Sequence, residues 1–211
     1  MAQALAGILA AQEKRAEILT NPKGFFVHVR LPDHVAARLT AVQKQVLPTS
    51  GTPKDIDHVT LCMTHKALES HPPEKVHAAL EDMRSLGQRT EPIDAKLQGW
   101  GYFDGASHDG KPATALVALV DAPGLEHLHV DLVRALEAHG IAASDAHVFT
   151  PHITLGYLPQ HGRAESTLPP IDGHFEIDRI HVAAHDHHEV SLSGSPASLG
   201  QKAAAASVAS R

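Results

Sequence analysis

Cysteine is nearly absent: Cys62 stands alone among 211 residues, so no disulfide can form within this sequence. That scarcity fits a reducing compartment, and the fold must hold without covalent cross-links. Aromatic residues make up only 4% of the chain, which leaves Leu, Val, Ile and Ala to fill the core. No apolar run approaches the roughly 20 residues that a membrane-spanning helix needs. The opening MAQALAGILAAQEKR has no positive charge ahead of its short apolar stretch, unlike a secretory signal. The reading is a soluble, cytoplasmic protein, a monomer with no membrane partner. An excess of positive charge is missing too. A net charge of −6 gives no general attraction for long nucleic acids. A nucleotide or a nucleic-acid end held in a local site remains compatible with it.

What is present is ordinary globular material, 43% hydrophobic and 20% charged, enough for one domain built as two lobes. Histidine is abundant, with 18 copies, so no single histidine carries much meaning.

Along the chain, residues 1–22 read as an N-terminal helical extension, alanine-rich and ending at Asn21-Pro22. Residues 23–190 read as the folded domain, and 191–211 as a flexible Ala/Ser-rich tail. Within the domain, alternation predicts a strand over 25–31. Pro32-Asp33 then opens a helix with Val35, Leu39, Val42 and Val46 on one face. A Pro/Thr/Ser/Gly-rich loop spans 48–57, and a strand follows over 58–63. A helix over 73–86 is expected to stop at Gly87. A strand covers 93–103, residues 104–112 form a turn, and 114–120 is an apolar strand. A third helix, 124–139, carries Leu125, Leu128, Leu132 and Leu136 and closes at Gly140. Strands over 152–158 and 175–183 complete the pattern. Strand, helix, loop and strand thus occur twice.

Each repeat ends in the same tetrapeptide: His58-Val59-Thr60-Leu61 and His152-Ile153-Thr154-Leu155. On a strand, alternate side chains share a face. His58 and Thr60 therefore point one way while Val59 and Leu61 enter a core, and the second copy does the same. If the halves pack about a pseudo-twofold axis, two imidazoles and two hydroxyls meet across one cleft. Histidine titrates near neutral pH, so one ring can be neutral while the other is protonated. Phosphodiester cleavage needs a base for the attacking oxygen and an acid for the leaving oxygen. His58 and His152 can supply both without a metal, and Thr60 and Thr154 can donate to the non-bridging oxygens. One such motif alone would read as the wet face of an edge strand. Two copies in the same context read as catalytic.

Other residues carry less. Tyr157 is a candidate for stacking on a base, with rim packing as its alternative. Phe26, His28 and Arg30 share a strand face, and Arg30 is a candidate phosphate contact. Trp100, Tyr102 and Phe103 read as packing, with base stacking the sharper alternative. Lys54 and Lys66 supply diffuse charge. His185-Asp186-His187-His188 does not match a familiar zinc site, because adjacent histidines on an extended chain point apart. No metal is assigned. Alternation puts Cys62 on the His58/Thr60 side, as a packing residue.

The paired motifs resemble those of the 2H phosphoesterase superfamily, which includes 2′-5′ RNA ligase-like proteins and cyclic nucleotide phosphodiesterases. Thr150-Pro151-His152-Ile153-Thr154-Leu155 is the better match, to the family's Pro-His-x-Thr-Leu, and the order of elements agrees over about residues 24–185. The resemblance implies an α+β, bilobal fold with two antiparallel sheets and outer helices. It implies hydrolysis of a 2′,3′-cyclic phosphate or a 2′-5′-type nucleotide or RNA-end bond, with no cofactor and no metal required. Two rival readings are a hydrolase of cyclic oligonucleotide second messengers and a non-catalytic nucleotide-binding module. One departure stands out. Many bacterial RNA ligase-like members place an arginine soon after the second motif, whereas Gly156-Tyr157 stands here.

Overall fold

Leu125, Leu128, Leu132 and Leu136 recur at helical spacing, and all four are buried along one side of a helix, Pro123–Glu137. The computed structural model describes residues 24–64, 66–144, 148–164 and 166–194. The expected N-terminal helical extension, residues 1–22, and most of the expected tail lie outside these. Among the described residues there are three α-helices: α1 (Asp33–Val46), α2 (Pro73–Arg89) and α3 (Pro123–Glu137). Proline at the first helical position starts α2 and α3, where its missing N–H costs nothing. Gly140, at φ +73°, closes the segment after α3, and Ile141 N–H returns to Leu136 O at 3.1 Å, as in a helix C-cap.

The described residues also form nine strands: β1 (Phe26–Arg30), β2 (Thr52–Pro53), β3 (His58–Met63), β4 (Ile93–His108), β5 (Lys111–Asp121), β6 (His152–Pro159), β7 (His174–Ile177), β8 (Arg179–Ala183) and β9 (His187–Ser191). They form two antiparallel sheets, ordered β3-β1-β8-β9 and β2-β6-β5-β4-β7. The expected α+β, two-lobed arrangement is what is observed. β3 is an edge strand of its sheet, and it contacts β6 of the other. The two motif strands are thereby neighbours across the line where the sheets meet. No helix among the described residues is long and apolar enough to cross a membrane.

Five boundaries differ from the sequence reading. Gly87 does not stop α2, which runs on to Arg89. Its role is clearance: a Cβ there would lie 2.3 Å from Val190 Cγ1 and 2.8 Å from Ser191 O, so β9 packs directly on the helix backbone. Residues 104–112 are not an open turn. β4 and β5 continue as a long hairpin whose tip, Asp109-Gly110, has positive φ at both positions (51° and 72°), the pattern of a tight two-residue hairpin turn. The segment 175–183 is not one strand. β7 ends at Ile177 in one sheet, β8 begins at Arg179 in the other, and Asp178 is the crossing point. The loop 48–57 contains β2, which pairs with β6. Residues 191–194 belong to the fold, since Leu192 is buried and Ser193 and Gly194 donate to Gly87 O and Thr90 O.

Candidate active site

Burial along both motif strands alternates as the pleat requires: Val59, Leu61, Ile153 and Leu155 are buried, while His58, Thr60, His152 and Thr154 are half-exposed. All four polar side chains line one cleft of about 710 Å³, together with Lys54, Ser107 and Tyr157. The four residues singled out by the repeated tetrapeptide are therefore brought together.

Each histidine is fixed through Nδ1. His58 Nδ1 lies 2.5 Å from Asp57 Oδ1, and His152 Nδ1 lies 2.7 Å from Thr150 O. Both partners can only accept, so each Nδ1 carries the hydrogen and each neutral ring keeps its lone pair on Nε2. An aromatic edge stands beside each ring. Phe26 meets His58 at 5.4 Å between centroids, and Phe103 meets His152 at 4.8 Å, both edge-on. Burial lowers the pKa of His152 below the ordinary value of 6.5. The hydrogen bond to Thr150 opposes this and the nearby His58 charge adds to it. His152 is consequently neutral at pH 7.

Polar side chains from two helices hold the motif strands. Gln43 of α1, buried, donates through Nε2 to Leu155 O at 2.6 Å and to Lys54 O at 2.7 Å. His129 of α3 lies with Nδ1 2.7 Å from Leu61 O, and its ring stacks on Phe149. The leucine carbonyl of each motif is thus satisfied by the helix of the other half of the repeat.

Lys54 was read from sequence only as diffuse charge, but it lines the cleft. β2 pairs with β6 at Pro53 and Gly156, and Lys54 N–H continues the contact to Leu155 O at 2.9 Å. This pairing also accounts for the glycine after the second motif. A Cβ on Gly156 would sit 2.7 Å from Thr52 O and 3.1 Å from Leu47 methyls, so a larger residue cannot stand there while β2 keeps its place. Lys66 is exposed and does not line the cleft.

Tyr157 lines the cleft, and its ring lies against His108 at 4.4 Å and 8° between planes. Burial raises its pKa, which keeps the phenol protonated. Arg30 lies opposite His58 in the β1–β3 pairing but does not line the cleft; its Nη2 is 3.3 Å from His187 Nε2. Phe103 lines a second cavity of about 520 Å³ that shares Ser107, His152, Thr154 and Tyr157 with the first. Trp100 packs and donates to Pro169 O at 2.7 Å, while Tyr102 lies under Arg163 and also lines this second cavity. Cys62 departs from the expected face. A bulge in β3 pairs Thr60 with His28 but Cys62 with Val27, on the core side, and burial pushes its thiol up to about 12. Of the run 185–188, His187 turns toward His28 and His181, while His188 lies near Arg84.

Comparison with known proteins gives a consistent result. The family model described as the 2′-5′ RNA ligase superfamily matches residues 23–189. No curated protein matches at a significant level. The fold is similar to that of the TT0787 protein of Thermus thermophilus, at 24% identity and TM-score 0.59, covering 81% of this chain and 98% of that one. It is also similar to E. coli LigT, solved with 3′-AMP, at 19% identity and TM-score 0.58, covering 82% and 97%. A third match is a structure described as a phosphoesterase, at 21% identity and TM-score 0.57, covering 82% and 96%.

Proposed function

The chain belongs to the 2′-5′ RNA ligase superfamily, within the 2H phosphoesterases, and from that premise we propose that it is a phosphodiesterase in which His58, Thr60, His152 and Thr154 do the chemistry. The substrate is a 2′,3′-cyclic phosphate or a 2′-5′-type nucleotide or RNA-end bond. The observation that carries this reading is the pair of Nδ1-anchored imidazoles lining one cleft, each with a threonine two residues on. A nucleotide is also the ligand class found with E. coli LigT, which was solved with 3′-AMP.

In the hydrolytic direction His152, kept neutral by burial, takes the proton from the attacking water. His58 gives a proton to the leaving oxygen, and the Asp57 carboxylate balances the charge it carries while doing so. Thr60 and Thr154 donate to the non-bridging oxygens, where charge accumulates, and Lys54 supplies a cation at the same wall. Tyr157, held flat against His108, offers a face to a base. No cofactor and no metal ion enters these steps.

A second reading rests on the adjoining cavity beside Phe103, which gives room for a second nucleoside. It makes a cyclic or 2′-5′-linked dinucleotide the substrate, as expected of an enzyme that destroys second messengers. One panel tests both: 2′,3′-cyclic mononucleotides, 2′-5′ oligonucleotides and cyclic dinucleotides, each assayed at 25 °C in EDTA. Turnover of the first two groups supports the leading reading, and turnover of cyclic dinucleotides alone supports the second. Calorimetric binding of these ligands with no turnover of any makes the domain a binding module.

A further inference from the structure

Three histidines from three adjacent strands meet on the sheet that carries β3. His28 of β1 pairs directly with His181 of β8, and His187 of β9 lies one pleat along on the same face. Their ring centroids are 5.4, 5.6 and 6.1 Å apart, and one ring nitrogen from each lies within 4.8 Å of the others. His28 and His181 are 1% and 2% exposed, and the Nδ1 atom of each is buried without a hydrogen-bond partner. His181 Nδ1 lies 3.6 Å from Glu189 Oε1, beyond hydrogen-bond reach.

Burying a polar atom with no partner costs about 1–3 kcal/mol. Two such atoms on stacked rings that also stand near a third imidazole need a common explanation. Protonation does not provide it. Both rings are almost wholly buried, which disfavours the charged imidazolium and leaves each with a lone pair. Neutral imidazole is the form that binds metal ions.

We propose that His28, His181 and His187 form a binding site for a divalent transition-metal ion, with Zn²⁺ the best match to three imidazoles. Two ligands of one tetrahedral zinc ion, each bonded at about 2.1 Å, are about 3.4 Å apart. The three nitrogens must therefore close by up to about 1.4 Å, through ring rotation at exposed His187 and small shifts of the two buried rings. Metal binding displaces the Arg30 contact to His187 Nε2, and Glu189 is placed to serve as a fourth ligand or to orient His181. The ion would staple the hairpin of β8 and β9 to β1. None of the three histidines lines the catalytic cleft, but the His28 ring stands 5.4 Å from that of His58, so a bound ion would lie next to a catalytic histidine, while the argument for the site does not rest on the phosphodiester chemistry.

The test uses the full chain without a histidine tag, stripped in EDTA and desalted, then titrated with Zn²⁺ by calorimetry and with Co²⁺ by visible absorption. Tm is followed alongside. The wild type binds one Zn²⁺ per chain at micromolar or tighter Kd, gives the strong d–d bands of a four-coordinate Co²⁺ site, and gains in Tm. His187→Ala, a change at an exposed position, weakens binding at least about tenfold and abolishes the Tm gain. His28→Phe does the same while keeping a ring in the core. His185→Ala and His188→Ala leave binding unchanged. Absence of one-to-one binding, or binding that survives His187→Ala and falls in His185→Ala or His188→Ala, overturns the proposal. Turnover plays no part in this test, so its outcome and that of the phosphodiesterase reading are separate.

Discussion

The side-chain amide of Gln43 lies 2.6 Å from the carbonyl oxygen of Leu155, so the first helix holds the second catalytic strand. The same amide nitrogen is 2.7 Å from Lys54 O and therefore also anchors the segment that carries Lys54 to the cleft. Replacing Gln43 by Leu takes the side-chain donor from Lys54 O and leaves Leu155 O with only its bond from Lys54 N–H. The expected cost is about 1–3 kcal/mol. In a domain of this size that lowers Tm by roughly 2–4 °C per kcal/mol. Thermal unfolding of Gln43→Leu checks it, and an unchanged Tm removes Gln43 from the account.

Gly156 makes room for β2. In Gly156→Ala the new methyl meets Thr52 O at 2.7 Å, and both are backbone-bound. Crowding of this kind costs about 1–3 kcal/mol. Because β2 leads into Lys54, the variant should also raise KM. A stable Gly156→Ala with native KM contradicts the close approach of β2 to β6.

Lys54 is the cation at the cleft wall. Loss of a charge-assisted contact to phosphate is worth about 1.5–3 kcal/mol, so Lys54→Met should reduce kcat/KM by roughly ten- to hundredfold and flatten its dependence on salt. Lys66→Met, outside the cleft, should leave kinetics unchanged. Equal effects of the two changes would mean that only the diffuse field matters.

The pH profile reports on His152. Its pKa is lowered, chiefly by burial, and as the base it must be neutral to act. Protonation on the acid side therefore sets in below the ordinary value of 6.5, and kcat/KM should hold its plateau down past that pH. Phe103→Ala opens one side of the ring to water and should move the acidic limb upward. A limb above pH 6.5 in the wild type would show that burial does not govern this group.

The parts of the site that were legible in the sequence are those built by local periodicity. Alternation in the two tetrapeptides placed His58, Thr60, His152 and Thr154 on the wet face, and leucine spacing placed α3. What escaped depends on contacts distant in sequence. Gln43 looks like a surface residue until β6 packs beneath it, 112 residues later. Lys54 sits in what reads as loop because β2 is only two residues long and exists by pairing with β6. A bulge in β3 moved Cys62 to the other face, an event alternation cannot anticipate. The hairpin tip Asp109-Gly110 did carry a local signal, but polar flanks disguised strands that run on past it. His28, His181 and His187 come from three strands and show no spacing at all.

The central claim is that two histidines share the acid–base work, and kcat/KM of His58→Ala and His152→Ala, measured in EDTA on the substrate that the wild type turns over best, tests it most directly. Each variant should lose about 10²–10⁴-fold while keeping the wild-type Tm to within a few degrees. Full activity in either folded variant would contradict the two-histidine mechanism.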